Sequence, residues 1–167
     1  NDDGIANPGE TIDLWATVRN VGAQTATGVS GALSTTTPGI TILNATAPWA
    51  NIPPGGQGTN TAALRFQVGS NVADGTVITF TLTMTDASGS RQMPLSYTAA
   101  APKLAHYWHR VQDAATGNGN GVIDPGEVVL VPVTLSNRGG QAAASVTAQV
   151  TSASPHLTVL EGTATAA

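Results

Sequence analysis

The sequence contains no cysteine, few charged residues and few aromatic residues. Without cysteine, disulfides, thiolate metal sites and cysteine nucleophiles are excluded. Charged residues make up 10% of the chain, and six Lys plus Arg against ten Asp plus Glu leave no basic patch for nucleic acid. Aromatic residues make up 4%, so a core must consist mainly of Val, Ile, Leu and Ala. No apolar run approaches the roughly 20 residues of a membrane span, so membrane insertion is not expected.

Glycine, proline and short alternating segments are abundant instead, with 19 Gly and 10 Pro in 167 residues. In the segment 11–18, apolar residues alternate with polar ones, as on a strand with one buried face. That face comprises Ile12, Leu14, Ala16 and Val18. Further strands are predicted at 29–33, 40–43, 62–68, 77–84, 92–97, 128–135 and 146–150. Short strands separated by Gly and Pro turns indicate an all-β antiparallel sandwich.

An internal repeat sets the organisation of the chain. The segment 1–10 reappears at 118–127, 117 positions later, and the match continues without a gap to the last residue. Of the 50 aligned positions, 17 are identical. An Asn-x-Gly sequence at 20–22 and again at 137–139 is expected to end a strand in a tight turn in both copies. Self-similarity at one fixed spacing predicts an array of like modules.

The repeat predicts tandem immunoglobulin-like antiparallel β-sandwiches, the second of them incomplete. The first is expected at 1–101, lacking its first strand, and 102–167 is expected to be the first half of the second, with the boundary near Ala101-Pro102. We expect the chain to be cut from a longer array; the alternative is that neighbouring chains supply the absent strands by edge pairing. Because half a sandwich leaves open edges, the isolated chain is expected either to be proteolysed back toward residue 101 or to associate.

The loop before the second Pro-Gly-Glu has the composition of a calcium site. Calcium prefers oxygen ligands at alternate residues around a glycine bend, closed by a carboxylate further along. The candidate ligands are Asn118, Asn120, the Val122 carbonyl, Asp124 and Glu127. The spacing resembles the twelve-residue loop of EF-hand and dockerin-type sequences, but Thr116 stands at its first place, where Asp113 is expected to substitute. The flanking helices of those families are absent, since the segment after the loop is predicted to be a strand.

The first copy carries a related set of residues. The candidate ligands there are Asn1, Asp3, the Ile5 carbonyl, Asn7 and Glu10. The alternative for both loops is that Asn, Asp and Gly only form turns, with Glu as a solvated charge. Retention of acidic or amide residues at the same places in two copies favours calcium.

Other candidate sites are weaker. His106 and His109 lie in a predicted strand that points them to opposite faces, which argues against a shared zinc ion. No Gly-x-Ser-x-Gly elbow is present, and the chain is not expected to be an enzyme. Trp15, Trp49 and Trp108 are expected to pack in the core or between domains rather than to form a sugar platform.

The segment 117–127, followed by an alternating strand and the Asn-x-Gly at 137–139, resembles CARDB-type and NEW3-type immunoglobulin-like repeat modules of large secreted bacterial proteins. The resemblance implies a non-catalytic structural or adhesive module on the cell surface or outside the cell, here stiffened by calcium. Its expected partners are neighbouring repeats or like subunits, with a surface ligand or glycan as a further candidate. The alternatives are an accessory domain of a secreted peptidase or glycosidase, and a self-assembling filament subunit completed by strand donation.

Overall fold

The computed structural model describes residues 4–166, and the elements there are β-strands only. All paired strands are antiparallel, so the predicted all-β antiparallel class is confirmed. The described part of the chain has no helix long and apolar enough to cross a membrane. The strands are β1 (Thr11–Leu14), β2 (Thr17–Arg19), β3 (Ser30–Thr35), β4 (Ile40–Asn44), β5 (Thr46–Pro48), β6 (Gln57–Thr59), β7 (Leu64–Val68), β8 (Val77–Asp86), β9 (Gly89–Thr98), β10 (Leu104–His109), β11 (Val133–Asn137), β12 (Val146–Gln149) and β13 (Thr163–Ala166).

The chain forms two units, one that ends at Ala101 and one that begins at Pro102. In the first unit, one sheet has the strand order β1-β7-β4 and another the order β5-β3-β8-β9, while β2 pairs with β6. The alternating residues of β7 and β8 point into one core between these sheets. The most deeply buried side chains are Leu64, Phe66, Val68, Ile78 and Leu82. Each such side chain contributes about 1.5–3 kcal/mol through removal from water.

In the second unit, β10 pairs with β11 and β12 pairs with β13. The β12–β13 ladder has the same register as β3–β5, since Ala148 pairs with Ala164 as Gly31 pairs with Ala47, 117 positions earlier. The sequence repeat is therefore also a repeat of strand pairing. The burial differs, because every buried hydrophobic side chain among the described residues lies at or before Ala101.

Two predicted strands differ from the structure. The predicted strand 11–18 is divided, because the Ala16 N–H donates to the Asn60 side chain (2.6 Å) and the chain changes partner from β7 to β6. The predicted strand 128–135 begins only at Val133. Before it, Leu130 forms one isolated bridge with Gln112, and Pro132 has no N–H to continue a ladder.

Candidate metal centre

The loop between β10 and β11 is closed by its own backbone. The Asp113 carbonyl accepts hydrogen bonds from the N–H groups of Thr116 (3.2 Å) and Gly117 (2.6 Å). A β-carbon at position 117 would lie 2.8 Å from the Glu127 carboxyl carbon and 3.0 Å from the Asp113 carbonyl oxygen, so a larger residue there would displace the Glu127 carboxylate. Where the two ends of the loop meet, the Thr116 hydroxyl donates a hydrogen bond to the Val128 carbonyl. The sequence pattern did not indicate that Gly117 and Thr116 help to close the loop, because neither side chain carries a charge that would mark it as a metal ligand.

Glu127 ties the two ends of the loop together. Its Oε1 accepts from the Asn118 N–H at 2.9 Å, and its Oε2 accepts from the Asp124 N–H at 3.3 Å. The Glu127 N–H in turn donates to the Asp124 carbonyl at 3.2 Å. One carboxylate therefore bonds to backbone N–H groups nine and three positions before it, and Glu127 stands at the place of the predicted closing ligand.

The side chains of the loop converge on Asp124. Its Oδ2 accepts hydrogen bonds from the Nδ2 atoms of Asn118 (2.8 Å) and Asn120 (2.9 Å). The predicted ligands at alternate positions are thus brought to one carboxylate. Val122 contributes its N–H, which donates to Asn120 Oδ1 at 2.7 Å.

Asp113 reaches into the same loop from the strand side. It is buried, with 3% of its surface exposed, and its Oδ2 accepts from the Gly121 N–H at 3.0 Å. A cleft of about 510 Å³ opens beside it, lined by residues of 110–116 and 119–121 together with Leu130. The structure therefore places the Asp113 carboxylate against the loop. This position is necessary if Asp113 is to supply the ligand that Thr116 does not.

The chemistry of this group of side chains suits a hard cation. The atoms available to bind a metal are carboxylate and amide oxygens. Calcium prefers such ligands, and zinc sites rarely use them alone. A carboxylate or amide oxygen has two lone pairs, so one can accept an N–H while the other faces a cation. Counting only His, Cys, Asp and Glu, no group of three or more that could hold a metal is found in the described part of the chain. A full calcium sphere here therefore depends on Asn and backbone oxygens.

The same contacts fit the turn-forming alternative. Asn118 Oδ1 accepts from the Asn120 N–H at 3.0 Å, and Asn120 Oδ1 accepts from the Val122 N–H at 2.7 Å. Each is an Asx turn, which stabilises a bend without any ion. Both interpretations use the same residues, so a cation titration separates them.

The first copy reproduces the closing contact of the loop. The Asn7 N–H donates to Glu10 Oε2 at 3.1 Å, and the Glu10 N–H donates to the Asn7 carbonyl at 3.1 Å. These bonds match those between Asp124 and Glu127. Ile5, whose carbonyl is a candidate ligand, is 40% exposed. The remaining candidates there, Asn1 and Asp3, lie outside the described residues.

The prediction that His106 and His109 face opposite sides is wrong. A bulge shifts the β10–β11 register between His106 and Trp108, so residues three apart share a face. The His106 Nε2 atom lies 3.0 Å from His109 Nδ1, and the ring centroids are 5.1 Å apart. The bulge leaves Tyr107 without a cross-strand partner, and no feature of the local sequence indicated it.

The three tryptophans have different environments. Trp49 is buried in the first unit, and its Nε1 donates to the Ala16 carbonyl at 3.1 Å. Trp15 and Trp108 are 56% and 48% exposed, so among the three only Trp49 lies in a core. Arg110 lies over the Trp108 ring at 5.8 Å from its centroid, a cation–π contact on the surface.

The candidate site is therefore an oxygen-rich loop whose side chains hydrogen-bond to one another, and part of the same arrangement recurs in the first copy before β1. Comparison of the chain with protein-family models and with curated proteins found no match.

Proposed function

We propose that this chain is a non-catalytic extracellular structural or adhesive module, built from tandem immunoglobulin-like repeats and stiffened by calcium at the loop before each Pro-Gly-Glu. The observation that carries the proposal is the junction at Asp124, where the side chains of Asn118 and Asn120 meet one carboxylate. Glu127 closes the loop around them, and the buried Asp113 braces it. Calcium is the ion that the carboxylate and amide oxygens of this loop would select, once the Asn118 and Asn120 amides turn their oxygens rather than their Nδ2 atoms toward it.

The tandem organisation is supported by features that recur 117 positions apart. The Nδ2 atoms of Asn20 and Asn137 donate to the Gln24 and Gln141 carbonyls, both at 2.7 Å. The β3–β5 and β12–β13 ladders share one register. Two copies with the same turns and ladders support one module type used twice, as in a surface array.

Calcium would act by ordering the loop. Fixing a backbone residue costs roughly 1–2 kcal/mol, and an ion that binds only the ordered loop offsets that cost in proportion to its concentration. Sites of extracellular modules bind calcium with dissociation constants of roughly 10⁻⁴–10⁻³ M, so they fill where calcium is plentiful. This dependence is the reason for placing the module outside the cell.

Hydrogen exchange of the whole chain tests the stiffening. We expect amides of 113–127 to exchange more slowly in calcium than in magnesium or chelator. Glu127→Gln should remove most of this protection, while Glu161→Gln, which deletes an exposed carboxylate elsewhere in the same unit, should retain it. Equal exchange in calcium and chelator would reject a calcium-stiffened loop and leave the Asx turns as its full explanation.

A second candidate function, self-association of like subunits, is favoured by the surface of the second unit. Its apolar side chains are solvent-exposed: Leu130 is 64% exposed, Leu160 71% and Val150 53%. Apolar surface of this kind is commonly covered by a partner.

A further inference from the structure

Two Asn-Gly sequences lie side by side in the loop between β10 and β11, at 118–119 and 120–121, and the sequence contains no others. Asparagine followed by glycine is especially prone to deamidation. The reason is that glycine has no β-carbon to hinder attack of its backbone nitrogen on the preceding side chain. Both asparagines are exposed to solvent. The loop therefore offers two candidate sites for the same modification.

The two sites share their backbone and side-chain geometry. Gly119 has φ +76° and Gly121 has φ +77°. Each asparagine Oδ1 accepts a hydrogen bond from the N–H two residues later, at 3.0 Å for Asn118 and 2.7 Å for Asn120. Each Nδ2 donates to Asp124 Oδ2, at 2.8 Å and 2.9 Å. In both Asx turns the side-chain carbonyl is folded back toward the peptide group that follows it, so these contacts favour neither site.

The two sites differ at the glycine nitrogen. The Gly121 N–H donates to Oδ2 of the buried Asp113 at 3.0 Å. This hydrogen bond must break before the Gly121 nitrogen can attack Asn120, and the nearby negative charge opposes loss of the proton from that nitrogen. The Gly119 N–H has no hydrogen-bond partner among the described residues. The Gly119 nitrogen can therefore attack its asparagine without losing a hydrogen bond.

We propose that Asn118 is a site of spontaneous deamidation and that Asp113 protects Asn120 from the same reaction. The Gly119 nitrogen attacks the side-chain carbonyl carbon of Asn118, and the new C–N bond closes a succinimide ring. The bond from that carbon to Nδ2 breaks, and Nδ2 leaves as ammonia, which takes up the proton of the Gly119 N–H. Water then opens the ring at one of its two carbonyls and gives aspartate or isoaspartate. Water is the only other reactant.

The product has a different charge where the loop side chains meet. Asn118 Nδ2 now donates to Asp124 Oδ2, whereas an aspartate at position 118 has no N–H to donate and places a second carboxylate there. Like charges at such a separation repel, so the modified loop should open more often. In the calcium-stiffened module, the new carboxylate would also join the ligands of the ion, and this last consequence alone rests on the proposed function.

Incubation of the whole chain in chelator, followed by rapid digestion and tandem mass spectrometry, measures deamidation at each asparagine. In the folded chain, Asn118 should deamidate at least about tenfold faster than Asn120, whereas in concentrated urea the two rates should be similar. Asp113→Ala should raise the rate at Asn120 toward that at Asn118. Asp124→Ala is the matched control, because Asp124 contacts both side chains alike and its loss should leave the ratio of the two rates unchanged.

The proposal is wrong if the folded chain deamidates at Asn120 as fast as at Asn118, or if folding suppresses the reaction at both. An unchanged Asn120 rate in a folded Asp113→Ala chain would reject the protective role of Asp113. Asn118→Asp tests the effect of the charge: in chelator, amides of 118–124 should exchange faster than in the wild type, and equal exchange would contradict the repulsion. Because chelator is present throughout, these outcomes do not depend on calcium binding, which the freshly prepared chain tests separately.

Discussion

Trp49 lies directly over Gly31 in the first unit. A β-carbon at position 31 would come within 2.6 Å of Trp49 Cζ3 and 3.1 Å of Leu82 Cδ1. In the second copy the same two positions are Ala148 and Ala166, on the paired strands β12 and β13. The two copies thus differ at these positions, with a large ring over glycine in the first and two alanines in the second.

Gly31→Ala should destabilise the first unit by about 1–3 kcal/mol, because the added methyl group forces the Trp49 ring to move. Denaturant unfolding monitored by tryptophan fluorescence and circular dichroism measures the change. In a Trp49→Ala background, Gly31→Ala creates the alanine pair of the second copy. There the substitution should cost less than about 1 kcal/mol. An equal cost in both backgrounds would show that the clash with Trp49 is not its cause.

Ser145→Gly should stabilise the second unit by about 0.5–1 kcal/mol. Ser145 has φ +54°, and Gly28, 117 positions earlier, has φ +61°. The left-handed conformation costs a non-glycine residue roughly 1–2 kcal/mol, and the greater freedom of glycine in the unfolded chain cancels part of the gain. Amide exchange of β12 and β13 reports the effect, and Ser145→Ala serves as the control that keeps the strain. Faster exchange in the glycine variant than in the wild type would contradict the expectation.

Asp13 and Arg65 face each other across β1 and β7, and both are partly exposed. The hydrogen bond from Arg65 lowers the pKa of the Asp13 carboxyl below the ordinary value of an aspartate side chain, with a smaller contribution from the Arg65 charge. Because the folded-state pKa is the lower one, the pair stabilises the fold above the unfolded pKa, and this is lost as pH falls through the folded pKa.

An NMR titration of the side-chain carboxyl groups checks this pair. In Arg65→Gln the pKa of Asp13 should rise toward 3.8, and the loss of stability on acidification should shrink. Asp86, whose pKa is lowered chiefly by hydrogen bonds from Ser88, is the internal control and should not move. An Asp13 carboxyl that titrates identically in both proteins would refute the assignment to Arg65.

The alternation of apolar residues was sufficient to predict the strands that form the core. Val68 and Ile78 lie on faces that the sequence pattern assigns to the interior, and both are fully buried. The pattern failed where a local interaction changed the ladder. Val128 and Leu130 alternate as strand residues do, but Pro132 has no N–H to donate and interrupts the ladder, so that β11 begins only at Val133.

The candidate site was predictable in composition but not in geometry. The repeated Pro-Gly-Glu indicated where the loop lies. Because position 116 is not Asp, Asp113 was predicted to take part in the site, and the structure has it buried against Gly121. The pairing of His106 with His109 was missed because a bulge moves one residue out of register. A sequence pattern specifies which residues alternate, but a one-residue shift in pairing exchanges the faces of all that follow.

Calcium titration of the whole chain by isothermal calorimetry tests the central claim most directly. After treatment with chelator, the wild-type chain and Glu161→Gln should show saturable calcium binding at or below about 10⁻³ M. Glu127→Gln should lose most of this binding, since it removes the carboxylate that joins Asn118 to Asp124. Absence of saturable binding at millimolar calcium, or identical binding by Glu127→Gln, would contradict the account.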